Sequence, residues 1–165
     1  MSEMHVRPSR HEDYEAIVSI YATARQFMRD NGNPNQWKDS WPPVDVVKKD
    51  IENHLSYVVV KDDVVRGVFA FIVGDDPTYK VIEDGQWSSN ASYGTIHRIA
   101  SDGTCKGLAR CCFDFCLTKS SYLRVDTHAD NKPMQAAVTG FGFRKCGIIH
   151  IADGSPRIAF DYVKN

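Results

Sequence analysis

No stretch of this sequence is apolar over the roughly 20 residues a membrane-spanning helix needs, so no span is expected. Positive charge is not in excess: 20 Lys and Arg stand against 21 Asp and Glu, a formal net charge of −1. That balance argues against nucleic acid or an anionic membrane surface as a partner. The five cysteines are an odd number without disulfide-framework spacing. The opening residues Met1-Ser2-Glu3-Met4-His5 hold no signal-peptide core. Reduced thiols and a cytoplasmic location are therefore expected, and the Asn90-Ala91-Ser92 sequon should stay unmodified. Metal-ligand spacing is missing too. Cys105, Cys111, Cys112 and Cys116 fit no zinc pattern. Cys112 and Cys116 share a helical face with Leu108, as small core residues do, so no metal is expected. Internal repeats, low-complexity segments and linkers are also lacking. What is present is 165 residues, 42% hydrophobic and 25% charged, which suits one soluble domain over residues 1–165 with its own core.

In chain order, His5-Val6-Arg7 reads as a short strand stopped by Pro8. Ser9 and Glu12 fit a capping box, followed by a helix with Tyr14, Ile17, Val18, Tyr21 and Met28 on one face, ending near Asn31-Gly32. An irregular loop runs from Asn33 to Pro43 and carries Trp37 and Trp41. Val44 to Asn53 reads as a helix with Val47 and Ile51 inward. Ser56–Val60 and Val64–Val73 form a hairpin around Lys61-Asp62-Asp63, apolar enough to be covered on both faces. Gly74 to Ser92 is long for a plain connection and holds Tyr79 and Trp87, which marks a functional loop or an ordered excursion. Further on, Tyr122–Thr127 is a strand, and Asp130 or Asn131 caps a helix with Pro133 in its first turn and Gly140 as its C-terminal cap. Phe141–Ile151 and Arg157–Val163 complete the strands, the last with Ile158, Phe160 and Tyr162 alternating. The order is β-α-α-β-β-β-α-β-α-β-β, an α/β chain with one mixed sheet and helices on both faces.

The stretch from Tyr93 to Leu117 organises the rest. A β-rich run ending in Ile99-Ala100-Ser101 enters a turn holding Gly103 and Gly107, and the turn opens an amphipathic helix. Such a junction leaves several backbone N–H groups without intrahelical partners at the positive end of a helix dipole, which suits a phosphate or pyrophosphate. The alternative is a junction that only turns.

Four features in order resemble the GNAT superfamily, the acetyl-CoA-dependent N-acyltransferases. Ile99-Ala100-Ser101 sits where that family pairs its strand with pantetheine amides. Thr104-Cys105-Lys106-Gly107-Leu108-Ala109 matches the last two fixed positions of its Gln/Arg-x-x-Gly-x-Gly/Ala pyrophosphate loop. Asn131 matches the Asn opening the following helix, and Gly142-Phe143 the Gly-Phe that begins the sixth strand. The resemblance implies cofactor contacts from Ile99, Ala100, Ser101, Thr104 to Arg110, Asn131 and Met134. It also brings departures. Thr104 replaces the usual Gln or Arg, Val138 stands where many relatives carry a Tyr that protonates the leaving thiolate, and Thr95 stands where some carry a Glu base.

The implied reaction is direct attack of a neutral amine on the acetyl thioester in a ternary complex. Positioning supplies up to roughly 7–11 kcal/mol of the barrier, and a base a further factor of roughly 10²–10⁴. His97, two residues before Ile99 and by parity on the same face, is the first candidate base; His128, after the next strand, is the second. For each the alternative is a structural histidine bonded to a neighbour. Trp37, Trp41, Tyr79 and Trp87 either line a substrate pocket or plug the end of the core. Lys106, Arg110 and Lys132 are phosphate partners or solvated charge, and Asp126 is expected to bond turn backbone. The expected function is N-acetylation of a small-molecule amine. A protein or peptide acetyltransferase and a non-catalytic acyl-CoA sensor are the alternatives. The expected partners are acetyl-CoA and an amine, with no nucleic acid and no membrane; a monomer and a homodimer both stay open.

Overall fold

The computed structural model describes residues 3–38 and 40–165; Met1, Ser2 and Asp39, inside the expected domain, lie outside the described residues. Seven strands form one mixed sheet: β1 (His5–Pro8), β2 (Ser56–Lys61), β3 (Val64–Val73), β4 (Gly94–Ser101), β5 (Tyr122–Thr127), β6 (Arg144–His150) and β7 (Pro156–Val163). Their order across the sheet is β1-β2-β3-β4-β5-β7-β6. Four α-helices accompany them: α1 (Tyr14–Asp30), α2 (Val44–Glu52), α3 (Leu108–Leu117) and α4 (Lys132–Phe141). Among the described residues no helix is long and apolar enough to cross a membrane. The chain divides into two compact units, one of Met1–Phe71 and His97–Phe115, the other of Ile72–Ile96 and Cys116–Asn165.

In the first unit β1, β2 and β3 pair antiparallel, with Val6 opposite Val59 and Tyr57 opposite Phe69. The apolar face of α1 packs as its spacing requires. Ile17, Ile20 and Tyr21 join Val47 and Ile51 of α2 and Val58 and Val68 of the sheet in one buried cluster, with Tyr14, Val18 and Met28 at its margin. Full burial of a side chain such as Ile17 contributes roughly 1.5–3 kcal/mol.

The entry to α1 differs from the expected Ser9–Glu12 box. A 3-10 turn over His11–Asp13 precedes the helix, and the Arg10 N–H donates to Asp13 Oδ2 at 2.8 Å. The Ser9 hydroxyl instead lies 2.8 Å from that of Ser56 on β2, so a tertiary bond takes the group the local cap would have used. Arg7 grips Asp13 with two bonds, at 2.7 and 2.9 Å. The Arg7 bond, set against partial burial, holds the Asp13 carboxyl below its ordinary 3.8. A carboxylate with a depressed folded pKa adds stability above the unfolded value and loses it as pH falls through the folded one. Arg7→Met should therefore lower stability by about 1–3 kcal/mol at pH 7, the range for leaving a partly buried group without its partner. The gap between variant and wild type should narrow as pH falls below the ordinary carboxylate range and Asp13 takes up its proton, read by urea unfolding at pH 7 and in acid.

In the second unit β5 pairs antiparallel with β7, and β7 with β6. The parallel β4–β5 register covers Gly94 with Leu123 and Thr95 with Arg124. Tyr79, Tyr93, Tyr122, Cys146, Ile149 and Ala159 form the buried cluster. The Gly74–Ser92 segment is an ordered excursion: Pro77–Tyr79 makes a 3-10 turn capped by Asp76, and Glu83 bridges to Ile148. Gly140 is not the cap of α4. It lies inside the helix, and Gly142, at φ +119°, closes it. Phe141 is accordingly helical, and the strand begins at Arg144 rather than Phe141. In β7 the simple alternation fails because Ala159, Phe160 and Asp161 are buried in succession, covered on both faces.

Candidate functional site

The end of β4 is irregular at one residue. Arg98 has φ +54°, a left-handed conformation that interrupts the strand's two-residue alternation. The placement of His97 on the face of Ile99 assumed that alternation, and it does not hold through Arg98. His97, Arg98 and Ile99 are all half-buried in succession. Two contacts hold the bend. The Tyr21 hydroxyl donates to the Arg98 carbonyl at 2.8 Å, and the Arg98 guanidinium donates through Nε and Nη2 to the two Asp50 oxygens at 2.9 and 3.0 Å. Burial pushes the Tyr21 phenol up, so it remains a neutral donor. Nothing in the local sequence marks this bend.

Beyond Ser101 the chain turns through Asp102–Gly107. The Asp102 N–H donates to the Arg66 carbonyl at 2.9 Å, and the Asp102 carboxylate meets Arg66 Nη1 at 3.3 Å. Two loop amides are already engaged: Gly103 N–H with Ser101 Oγ at 3.3 Å, and Thr104 N–H with Asp102 Oδ1 at 2.9 Å. Those of Lys106, Gly107, Leu108 and Ala109 have no acceptor among the described residues. They lie just before and within the first turn of α3, whose opening bond runs from Cys111 N–H to the Gly107 carbonyl at 3.0 Å. Gly107 stands at φ +78°, and among the described residues a β-carbon there would meet Met4 Cε alone, at 3.8 Å. The described residues therefore leave room beside Gly107. Leu108 is buried against β3: a β-carbon on Gly67 would come within 2.7 Å of it and 3.1 Å of the Ala100 carbonyl. That close approach seats the head of α3 on the sheet. Lys106 and Arg110 are exposed beside it, and Cys105 is half-buried.

Asn131 and Met134 come together at the start of α4, where Asn131 Oδ1 accepts from Met134 N–H at 3.1 Å. His128 sits in the turn before them. Its Nδ1 accepts from the Asp130 N–H at 3.0 Å, which puts the ring proton on Nε2. Burial and then Arg157 lower its pKa, so the ring is neutral at pH 7 and presents an N–H rather than a lone pair. Lys132 is exposed. Position 138 is a Val with no exposure, and Thr95 is buried with Oγ1 unpartnered, so neither supplies an acid or a strong base.

The four aromatic candidates separate. Trp37 is part of the α1 core, edge-on to Tyr21 at 5.6 Å, and so takes the plugging alternative. Trp41 is 42% exposed. Tyr79 is buried and its hydroxyl donates to Asp126 Oδ2 at 2.6 Å. Asp126 thus bonds a side chain 47 residues away. Trp87 donates from Nε1 to the Tyr79 carbonyl at 3.0 Å.

Comparison with known proteins adds the following. No family model matches the chain, and no curated protein does. Solved structures do. An acetyltransferase of the GNAT family from Streptococcus agalactiae is 28% identical, over 98% of this chain and 96% of that one, with a TM-score of 0.90. The yncA protein of Salmonella typhimurium, solved with its cofactor acetyl-CoA, is 15% identical over 98% and 94%, with a TM-score of 0.64. A chain of the NatC complex, bound to Gag peptide and CoA, is 13% identical over 99% of each, with a TM-score of 0.59. At these last two identities the likeness is one of fold.

Proposed function

We propose that this chain, an acetyltransferase of the GNAT family, moves the acetyl group of acetyl-CoA to the primary amine of a small molecule by direct attack in a ternary complex. The observation that carries the reading is the run of acceptor-free amides from Lys106 to Ala109, with room beside Gly107. It occurs in a chain that matches a GNAT acetyltransferase along nearly its whole length. Residues 1–165 act in this reading as a single catalytic domain, in the cytoplasm.

When bound, acetyl-CoA supplies a thioester carbonyl open to attack by a neutral amine. The amides of Lys106, Gly107, Leu108 and Ala109 hold its diphosphate, with the helix dipole and the exposed Lys106 and Arg110 adding positive charge. The main chain of Ile99, Ala100 and Ser101 orients the pantetheine arm, with Asn131 and Met134 as further contacts, and Thr104 and Cys105 shape the loop. His97 takes the amine proton, directly or through one water. His128 is the weaker candidate, because its Nδ1 is already an acceptor and its Nε2 holds the proton. With Val138 in place of a phenol, the departing thiolate takes its proton from water. Trp41 is the aromatic candidate for acceptor contact that keeps exposed ring surface, whereas Trp37, Tyr79 and Trp87 act through packing.

The test is thiol release from acetyl-CoA with a panel of small amines, antibiotics and peptides. Turnover on at least one small amine is expected. Turnover on peptides alone would move the acceptor class, and tight acetyl-CoA binding without turnover on any of them would make the chain a sensor.

A further inference from the structure

Arg124 is a buried cation whose charge no carboxylate of the described residues meets directly. It is 6% exposed on β5. Its guanidinium carbon lies 4.1 Å from the Trp87 ring centre, 4.0 Å from that of Tyr93 and 5.2 Å from that of Tyr122. Nε donates to the Tyr122 hydroxyl at 3.2 Å and Nη2 to the Ser89 carbonyl at 2.9 Å. Nη1 has no hydrogen-bond partner among the described residues. The acid associated with this group, Asp161, is reached only through Tyr122, whose hydroxyl donates to it at 2.7 Å. Asp161 is also held by the Ser88 N–H and hydroxyl, each at 2.7 Å. Rings attract a guanidinium, but they do not neutralise it. Asp161 stands opposite Arg124 in the β5–β7 register but is spent on Tyr122 and Ser88, so the guanidinium makes no direct ion pair, and an arriving anion would supply one.

A cavity of about 400 Å³ opens onto this group, lined by Arg124, Tyr93, Lys80, Asn90, Ser92 and Asp75 among others. The volume suits a small organic molecule. Two cations against one acid leave the lining with a single positive charge, which matches a monoanion; a phosphate dianion would meet Asp75 with an excess of negative charge. We propose that this cavity binds the carboxylate of a small molecule, with one oxygen on Arg124 Nη1, Lys80 closing on the other, and the organic body over Tyr93. The site lies wholly within the second unit and is independent of acetyl transfer.

Trp87, against the guanidinium, provides the readout. Tryptophan fluorescence should change saturably on titration with propionate at constant ionic strength, and not with propionamide. Trp87→Phe should remove the signal while calorimetry still detects binding. Arg124→Met should abolish binding. Because Arg124 is part of the core, the exposed Lys80→Ala and Asn90→Asp serve as second variants. Each should weaken propionate by about tenfold with the unfolding temperature unchanged, as expected for losing or opposing one charged hydrogen bond. Alanine in place of propionate identifies the source. Tighter binding than propionate assigns an amino acid with its ammonium toward Asp75, and weaker binding assigns a simple carboxylate. Equal response to propionamide, equal affinity for inorganic phosphate, or propionate affinity unchanged in Lys80→Ala and Asn90→Asp would each overturn the assignment.

Discussion

Gly107→Asp should give a folded chain that has lost acetyl-CoA. The left-handed backbone at this position, φ +78°, costs a non-glycine residue about 1–2 kcal/mol, with aspartate among the better tolerated. The added β-carbon strikes none of the described residues, its nearest neighbour among them being Met4 Cε at 3.8 Å. The fold therefore survives, and the effect falls on the ligand. The new carboxylate stands over the amides of Lys106 to Ala109, competes for their hydrogens and faces the diphosphate. One pair of like charges at about 5 Å, in an effective dielectric near 20, costs about 3 kcal/mol, roughly a hundredfold in affinity. Calorimetric titration alongside a circular dichroism spectrum measures both halves of this. An unchanged dissociation constant in a folded variant would remove the loop from the binding site.

Asp50→Asn should have the largest effect on stability. Asp50 is 8% exposed and is gripped by Arg98 through two parallel bonds, so amidation leaves a largely buried guanidinium without its counter-charge. Removing one partner of a buried pair costs about 3–5 kcal/mol, and the residual exposure of both groups places this one toward about 3. Arg98 is also the left-handed residue ahead of Ile99-Ala100-Ser101, so the loss should relax the bend and weaken acetyl-CoA binding as well. Arg98→Lys should not substitute, because a single ammonium cannot reproduce the two-pronged contact. A double-mutant cycle with Arg98→Ala checks the coupling by urea unfolding. The double variant should be less destabilised than the sum of the singles, and simple additivity would show that the pair is not the cause.

Most element boundaries were legible because they rest on periodicity within one segment. The apolar stripe of α1 and the hairpin around Lys61-Asp62-Asp63 are local patterns, and they fold as written. The departures arise where a distant residue takes over a group the local pattern had assigned. Ser9 turns to Ser56. Ser56 stands one step beyond Pro8 and Tyr57 in the β1–β2 pairing, and no spacing within a single segment reveals it. Gly140 and Gly142 are two residues apart, and only the helix's length decides which one closes it. The site shows the same division. The loop from Thr104 to Ala109 was readable as a strand-to-helix junction. Arg98 was not, since parity counting presumes an even pleat and one left-handed residue defeats it.

The account rests most heavily on main-chain amides at the head of α3. Acetyl-CoA titrated into ¹⁵N-labelled protein should move the amide resonances of Lys106, Gly107, Leu108 and Ala109 most, with Gly103 and Thr104, already bonded to side chains, moving less. Saturable binding that leaves those four resonances in place and perturbs others would contradict it.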